Sequence, residues 1–319
     1  VGFVAAKMLR VPLVGTYHTD FPSYVDKLFD DHGFTRATEL YMKFFYKTFA
    51  KVFSRSEQFN GEMLRVGISA EKMVTLASGI DTGDFGFRFK DRSVWTKLGI
   101  DPVGCDPLKR LKVLYVGRVS IEKNLPIVTQ MWKQVREQCE RRGIQADLVV
   151  VGDGPYRKQM EQALSRHGAH FLGFRKGEEL ATLYASSDLF VFPSMTDTLG
   201  QAVMEAQASA LPALVSDQGG PKSIVRDGVS GCVLPGSEVD RWVSAMVDLL
   251  CDDEKRARFS EGGVEAMRGR DIRDSFEHYW AVHEQVRREK LASIGVTDSP
   301  QPSGSPAAGA AEPVGAVVP

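Results

Sequence analysis

The feature that most limits the folds open to this chain is a rhythm. Short apolar runs without internal alternation are each followed by a segment of helical periodicity. LKVLYVGR (111–118), DLVVVG (147–152), HFLG (170–173), DLFVFPS (188–194), ALVS (213–216) and GCVLP (231–235) are such runs. Helical patterns separate them at 125–142, 156–166, 177–185, 201–209 and briefly near 221–226, and continue to about residue 289. A strand that is apolar on both faces must be covered on both faces, so the pattern predicts α/β architecture with a parallel sheet between helices.

The same rhythm runs upstream, with a strand at VPLVGTYH (11–18), a helix at TRATELYMKFFYKTF (35–49) and a strand at KVFSRS (51–56). It breaks across SGIDTGDF (78–85) and the Pro- and Gly-bearing DPVGCDP (101–107), which places a domain boundary near residue 105. A chain of 319 residues exceeds one typical core, so two domains are expected. From Ser293 the sequence is rich in Pro, Gly, Ala and Ser and reads as a disordered tail over 293–319. The first residue is Val, which suggests a fragment lacking its upstream part.

Composition closes several classes. A net charge of −1 offers no basic excess to attract nucleic acid. Cys105, Cys139, Cys232 and Cys251 lie far apart with no CxxC pair, so neither zinc spacing nor a disulfide framework is expected, and a reducing cytoplasm fits. No apolar run of about 18 residues is present to span a bilayer, and VGFVAAKMLR is too short and mixed for a signal peptide.

In parallel α/β sheets ligands gather beyond the carboxyl ends of the strands. Three stretches with chemistry stand there. In VGRVSIEKN (116–124), Arg118 and Lys123 can neutralise a diphosphate without a metal, or can simply be solvated surface cations. No Asp-x-Asp pair is present to hold a divalent ion, so no metal and no cofactor is expected.

In TDTLGQAVMEAQASALP (196–212), Asp197 precedes a helix beginning near Gly200, and the amides of Leu199, Gly200 and Gln201 can face an anion or sugar hydroxyls. Asp197 is equally readable as a carboxylate favoured by the helix dipole. Glu205 sits among small apolar residues and needs a partner. The vicinal hydroxyls of a ribose would serve, as would an Arg or a backbone amide. In GTYHTDFPSY (15–24), His18 can donate to a phosphate or a sugar hydroxyl, or bond to local backbone. A nucleophile elbow, HExxH, a P-loop and GxGxxG are absent; VGDGP (151–155) reads as a tight turn with Pro155 at a helix start.

Taken in order, GTYHTDFPSY, SGIDTGDF, YVGRVSIEKN, VVVGDGP, FLGF, ASSDLFVFPSMTDTLGQAVMEAQASALP and GGPKSIVRDGVSG resemble the family 4 retaining glycosyltransferases of GT-B fold over about residues 10–290. Within that family they look closest to bacterial mannosyltransferases and sulfolipid-type glycosyltransferases. The resemblance implies two Rossmann-like domains. Residues 1–105 would be the remainder of an incomplete N-terminal, acceptor-side domain, and 106–274 a C-terminal domain holding a nucleoside-diphosphate sugar. A helix at 275–292 would cross back to the first domain. It also implies that the family's first strand and glycine-rich loop precede Val1, so that this chain alone is not a competent enzyme.

By motif match, the resemblance implies that Arg118 and Lys123 bind the donor diphosphate. Asp197 and Glu205 match the two ends of the E-x7-E motif, the first toward the sugar and the second toward the ribose. His18 matches a histidine beside the transferred sugar. The sequence departs from the family at Asp197, where Glu is usual, at Thr198 and Asn124, where Gly is frequent, and at Ser223, where Glu is expected.

The implied activity is hexosyl transfer with retention to a lipid, a glycan or a small alcohol. An epimerase or phosphorylase on the same fold and a silent donor-binding domain are the alternatives. The helix around 35–51 bears Tyr41, Met42, Phe44, Phe45, Tyr46 and Phe49 against a narrow stripe of Lys43, Lys47 and Lys51. Its apolar face is wider than the roughly 100° of an ordinary surface helix, so it is expected to be mostly core, with part of it meeting a membrane surface or a lipid acceptor.

Overall fold

The computed structural model of the chain describes residues 2–17, 25, 32–54, 57–76, 78–105 and 110–296. Its first part comprises α1 (Gly2–Leu9), β1 (Val14–Thr16), α2 (His32–Lys47), β2 (Lys51–Ser54), α3 (Glu57–Arg65) and β3 (Met73–Thr75). The three strands form a parallel sheet in the order β1-β2-β3.

β1 is shorter than the expected 11–18. Arg10 turns the chain at φ 56° and Pro12 lacks an amide to donate, so pairing with β2 begins at Val14. α2 stops at Lys47. Lys51 therefore lies in β2, outside the lysine stripe, with its ammonium donating to the Glu71 carbonyl at 2.8 Å. Met42, Tyr46 and Phe49 are buried, whereas Tyr41 and Phe44 remain 64% and 63% exposed.

The second part follows a short helix, α4 (Val94–Lys97). It runs β4 (Arg110–Val116), α5 (Leu125–Glu140), β5 (Gln145–Val151), α6 (Arg157–Leu164), β6 (Ala169–Gly173), α7 (Gly177–Ser186) and β7 (Leu189–Phe192). Then come α8 (Gln201–Ala208), β8 (Ala213–Ser216), β9 (Gly231–Leu234), α9 (Val239–Cys251), α10 (Asp253–Met267) and α11 (Ile272–Ser293). All six strands are parallel, in the order β6-β5-β4-β7-β8-β9.

The unalternated apolar runs are explained by this burial. Val113, Leu114, Leu148, Val149, Phe190 and Val191 are fully enclosed between helix layers. Trp132 and Trp242 fill the core with their indole N–H groups satisfied by the carbonyls of His167 and Pro235, both at 2.8 Å.

β4 stops at Val116 because Gly117, at φ 154°, turns the chain aside. VGDGP does form a tight turn, but α6 starts at Arg157, two residues past Pro155. The segment near 221–226 is a 3-10 turn at Gly220–Ser223, and α11 extends through Ser293, the first residue assigned to a tail.

A buried ionic cluster closes the sheet at the amino ends of β4 and β5. Lys112 is fully enclosed, its ammonium 2.7 Å from Asp101 and 3.3 Å from Asp147. Arg110 engages Asp147 through both Nε and Nη2. Buried charge survives only with such pairing, and it anchors the 91–101 segment under the sheet.

α11 joins the two parts. At its start Ile80 donates to the Arg270 carbonyl at 2.9 Å and Ile272 donates back to Ile80 at 3.1 Å. Gly79 faces the Asp271 carbonyl too closely for any Cβ. Further along, Tyr279 stacks on Phe53 of β2 with centroids 4.9 Å apart, and Val282 packs with Phe53 and Leu76.

Candidate active site

The six-stranded sheet reverses direction of growth between β4 and β7. The chain builds outward from β4 to β6, then returns to lay β7 on the other side of β4. The loops leaving β4 and β7 diverge at that point and open a crevice beyond the strand ends. Arg118 and Lys123 follow β4, and Asp197 follows β7, so the structure brings three of the sequence-predicted residues to the two sides of one switch point.

Arg118 is held by its backbone and free at its side chain. Its carbonyl accepts from the buried Tyr115 hydroxyl at 2.8 Å, while the guanidinium is 66% exposed and 3.8 Å from Glu122. Lys123 ends a 3-10 turn, Ile121–Lys123, and its ammonium donates to Asp197 Oδ1 at 2.8 Å. Lys123 is thus not a solvated cation; it and Asp197 are 21% and 23% exposed.

Asn124 follows at φ 56°, a left-handed conformation that Gly adopts freely and Asn tolerates best among the rest. Its amide also donates to the Gly236 carbonyl at 2.8 Å, fixing the loop. The Asn found where Gly is frequent therefore has a structural reason.

Asp197 does not cap the helix. The cap position of α8 is Gly200, at φ 88°, and no side chain bonds there. The first returns to the Gly200 carbonyl come from Val203 and Met204, which leaves the preceding amides of Leu199, Gly200 and Gln201 outside the intrahelical ladder. Asp197 Oδ2 is buried without a partner among the described residues. The backbone around it is clamped: its carbonyl accepts from Gly220 at 2.7 Å, and a Cβ on Gly220 would collide with the Thr198 carbonyl.

Leu199 and Gln201 also line a crevice of about 240 Å³ with Ser78, Phe276 and Tyr279, where α8 approaches the joining helix.

Glu205 lies one turn into α8, and its partner is neither Arg nor backbone amide. It accepts from the Tyr184 hydroxyl at 2.9 Å. Burial pushes the Glu205 carboxyl up to about 7, against the lowering effect of that hydrogen bond. Tyr184 was readable in the sequence only as a core position of α7; nothing in the spacing relates it to Glu205. Gly219 and Gly220 were visible as a GG pair, but their packing against the Asp197 loop is a tertiary fact. His18 lies outside the described residues. Among the described residues, no group of three His, Cys, Asp or Glu is placed to hold a metal ion.

Two parallel α/β units joined by a returning C-terminal helix, with cations and carboxylates at the switch point of the second, are the architecture of the GT-B fold. Residues 105–265 match the family described as Glycosyl transferases group 1, and residues 1–84 match Glycosyltransferase Family 4. The chain belongs to the group 1 glycosyltransferase family.

Relatives of both kinds that the motifs resemble are among the matches. It is 29% identical over 294 residues to a sulfoquinovosyl transferase of Arabidopsis thaliana, covering 90% of this chain and 53% of the relative. It is 30% identical over 295 residues to a GDP-mannose-dependent alpha-mannosyltransferase of Corynebacterium glutamicum, covering 91% of this chain and 67% of that one. The chain thus spans about half the length of the plant relative. Among solved structures, Anabaena HepE in complex with UDP-glucose superposes with a TM-score of 0.71 at 20% identity, over 92% of this chain and 75% of its own. Sucrose-phosphate synthase of Thermosynechococcus elongatus gives 0.73 at 19% identity, over 90% and 72%. At these identities the superpositions speak to the fold alone.

Proposed function

We propose that the chain forms the donor-binding part of a retaining glycosyltransferase, which moves a hexosyl group from a nucleoside-diphosphate sugar to a lipid, glycan or small alcohol. The observation that carries this reading is the pairing of Lys123 after β4 with Asp197 after β7, beside the exposed Arg118 and the start of α8. The mannosyltransferase relative is named for a GDP-mannose donor and the HepE structure for UDP-glucose, which supports a nucleotide-sugar donor here.

In this reading Arg118, Lys123 and the amides at the start of α8 stabilise charge growing on the leaving diphosphate, in place of a metal. Asp197 holds sugar hydroxyls beside the reacting carbon, Glu205 holds the ribose, and His18 is assigned to the transferred sugar by its motif match. The bond from anomeric carbon to diphosphate breaks as the acceptor oxygen adds on the same face. The acceptor proton passes to a leaving phosphate oxygen.

α2 supports a reading of the acceptor and location. Leu40, Tyr41, Phe44 and Phe45 form one exposed arc beside Arg36, Lys43 and Lys47. An apolar arc edged by cations suits the surface of an anionic membrane, with the enzyme peripheral on its cytoplasmic face and a lipid as acceptor. No helix among the described residues is long and apolar enough to cross a membrane.

A thermal-shift screen with UDP, GDP, ADP and their sugars tests the donor. A specific ligand at about 100 times its Kd adds roughly 2.7 kcal/mol of stability. Proton NMR of the transfer product tests retention; a product of inverted anomeric configuration overturns it. Sedimentation with anionic liposomes at low salt tests the membrane contact, and a chain left wholly in the supernatant overturns that.

A further inference from the structure

The pair formed by Tyr184 and Glu205 asks for more than a packing explanation. Tyr184 is fully buried, edge-on to Phe85 with centroids 5.7 Å apart and tilted against Phe190 at 5.6 Å. Its ring is therefore fixed, and its hydroxyl donates to Glu205 Oε2 at 2.9 Å. The other Glu205 oxygen accepts no hydrogen bond among the described residues. A core that needed only packing would be served by Phe at 184 and an apolar residue at 205. This one instead keeps a carboxylate half-buried at a cost.

We propose that Tyr184 is the positioning residue for ribose recognition: its hydroxyl holds Glu205 Oε2 so that Oε1 faces the crevice and accepts from the vicinal diol of the donor nucleotide. This rests on the assignment of Glu205 to the ribose made above. Tyr184 touches no substrate; it acts through Glu205, both by aiming the carboxylate and by favouring its charged form. Among the described residues Tyr184 is the only side chain acting on the Glu205 carboxyl, apart from the burial around it. Among the described residues no Lys, Arg or His acts on either group.

The test uses isothermal titration of the chain with UDP and GDP in parallel, and with inorganic pyrophosphate as a probe without ribose, from pH 6 to 9. Three proteins are compared: wild type, Tyr184→Phe and Glu205→Gln. Tyr184→Phe is expected to bind the preferred nucleotide about tenfold more weakly at pH 7, since it loses one hydrogen bond to a charged group. The deficit should narrow toward pH 9, where Glu205 is ionised with or without its donor. Pyrophosphate affinity should stay within about twofold of wild type in both variants.

If Tyr184→Phe matches wild type at every pH while Glu205→Gln weakens nucleotide binding, the positioning role is overturned and the ribose assignment survives. Unchanged nucleotide binding in Glu205→Gln overturns the ribose assignment itself, and the positioning role with it. Equal weakening of pyrophosphate and nucleotide by Tyr184→Phe would show that the hydroxyl serves the fold, which also overturns the proposal.

Discussion

The Lys123 ammonium lies 2.8 Å from Asp197 Oδ1 and ties the loop leaving β4 to the loop leaving β7 across the mouth of the sheet. Thr196 reinforces the tie by donating to the Glu122 carbonyl at 3.2 Å. The two residues sit 74 positions apart in sequence, and their contact turns a cation and a carboxylate on separate strands into one site.

That contact makes the two residues energetically dependent. Lys123→Ala is expected to cost roughly 2 to 4 kcal/mol of transition-state stabilisation by removing a cation from the leaving group. In a double-mutant cycle with Asp197→Asn, the effects on kcat/KM should fail to add by about 0.5 to 3 kcal/mol. Additivity to within about 0.3 kcal/mol would mean that the pair does not work as a unit.

Arg118 separates function from stability. Its guanidinium is two-thirds exposed and only loosely paired with Glu122, so Arg118→Ala should change the unfolding free energy measured in urea by no more than about 0.5 kcal/mol. Glycosyl-transfer turnover should nevertheless fall by well over threefold. A variant within about threefold of wild type, a loss of under roughly 1 kcal/mol, would remove Arg118 from leaving-group stabilisation.

Glu205 carries the opposite signature. Its carboxyl titrates near 7 in the folded chain, well above the ordinary value of about 4.3 for an unfolded Glu. The folded state therefore holds a proton that the unfolded state has released, and stability declines as pH rises from about 4 through 7. Glu205→Gln escapes that decline. Chemical denaturation should find it more stable than wild type by roughly 1 to 3 kcal/mol at pH 8, with the gain shrinking toward pH 5. Equal stability at both pH values would show that the carboxylate is solvated in the folded chain.

The cluster at the far end of the sheet should govern acid stability. Burial pushes the Asp147 carboxyl up, but His170 at 3.7 Å, the paired Arg110 and the Lys112 ammonium together hold it well below the ordinary carboxylate range. A depressed folded value contributes stability above an unfolded pKa of about 4, lost as pH falls below it. Asp147→Ala should cost about 3 to 5 kcal/mol at pH 7, because it takes the bidentate partner from Arg110 and leaves the buried Lys112 with Asp101 alone. The difference from wild type should diminish at pH 3, and a cost below about 1 kcal/mol at pH 7 would refute the cluster's structural role.

Much of this protein was legible before folding was considered. Apolar runs without alternation specified buried parallel strands, and helical periodicity between them specified the covering layers, because both are local consequences of which faces must avoid water. Motif order marked Arg118, Lys123, Asp197 and Glu205, since residues at strand ends and helix starts are placed by the chain's own geometry. What the sequence could not express was partnership. That Asp197 turns from the helix to Lys123, that Asn124 occupies a left-handed turn, and that Tyr184 meets Glu205 across two helices all depend on distances fixed by the crossover at β4 and β7. Local patterns determine which surfaces are buried; only the tertiary packing decides which polar groups, once buried, find one another.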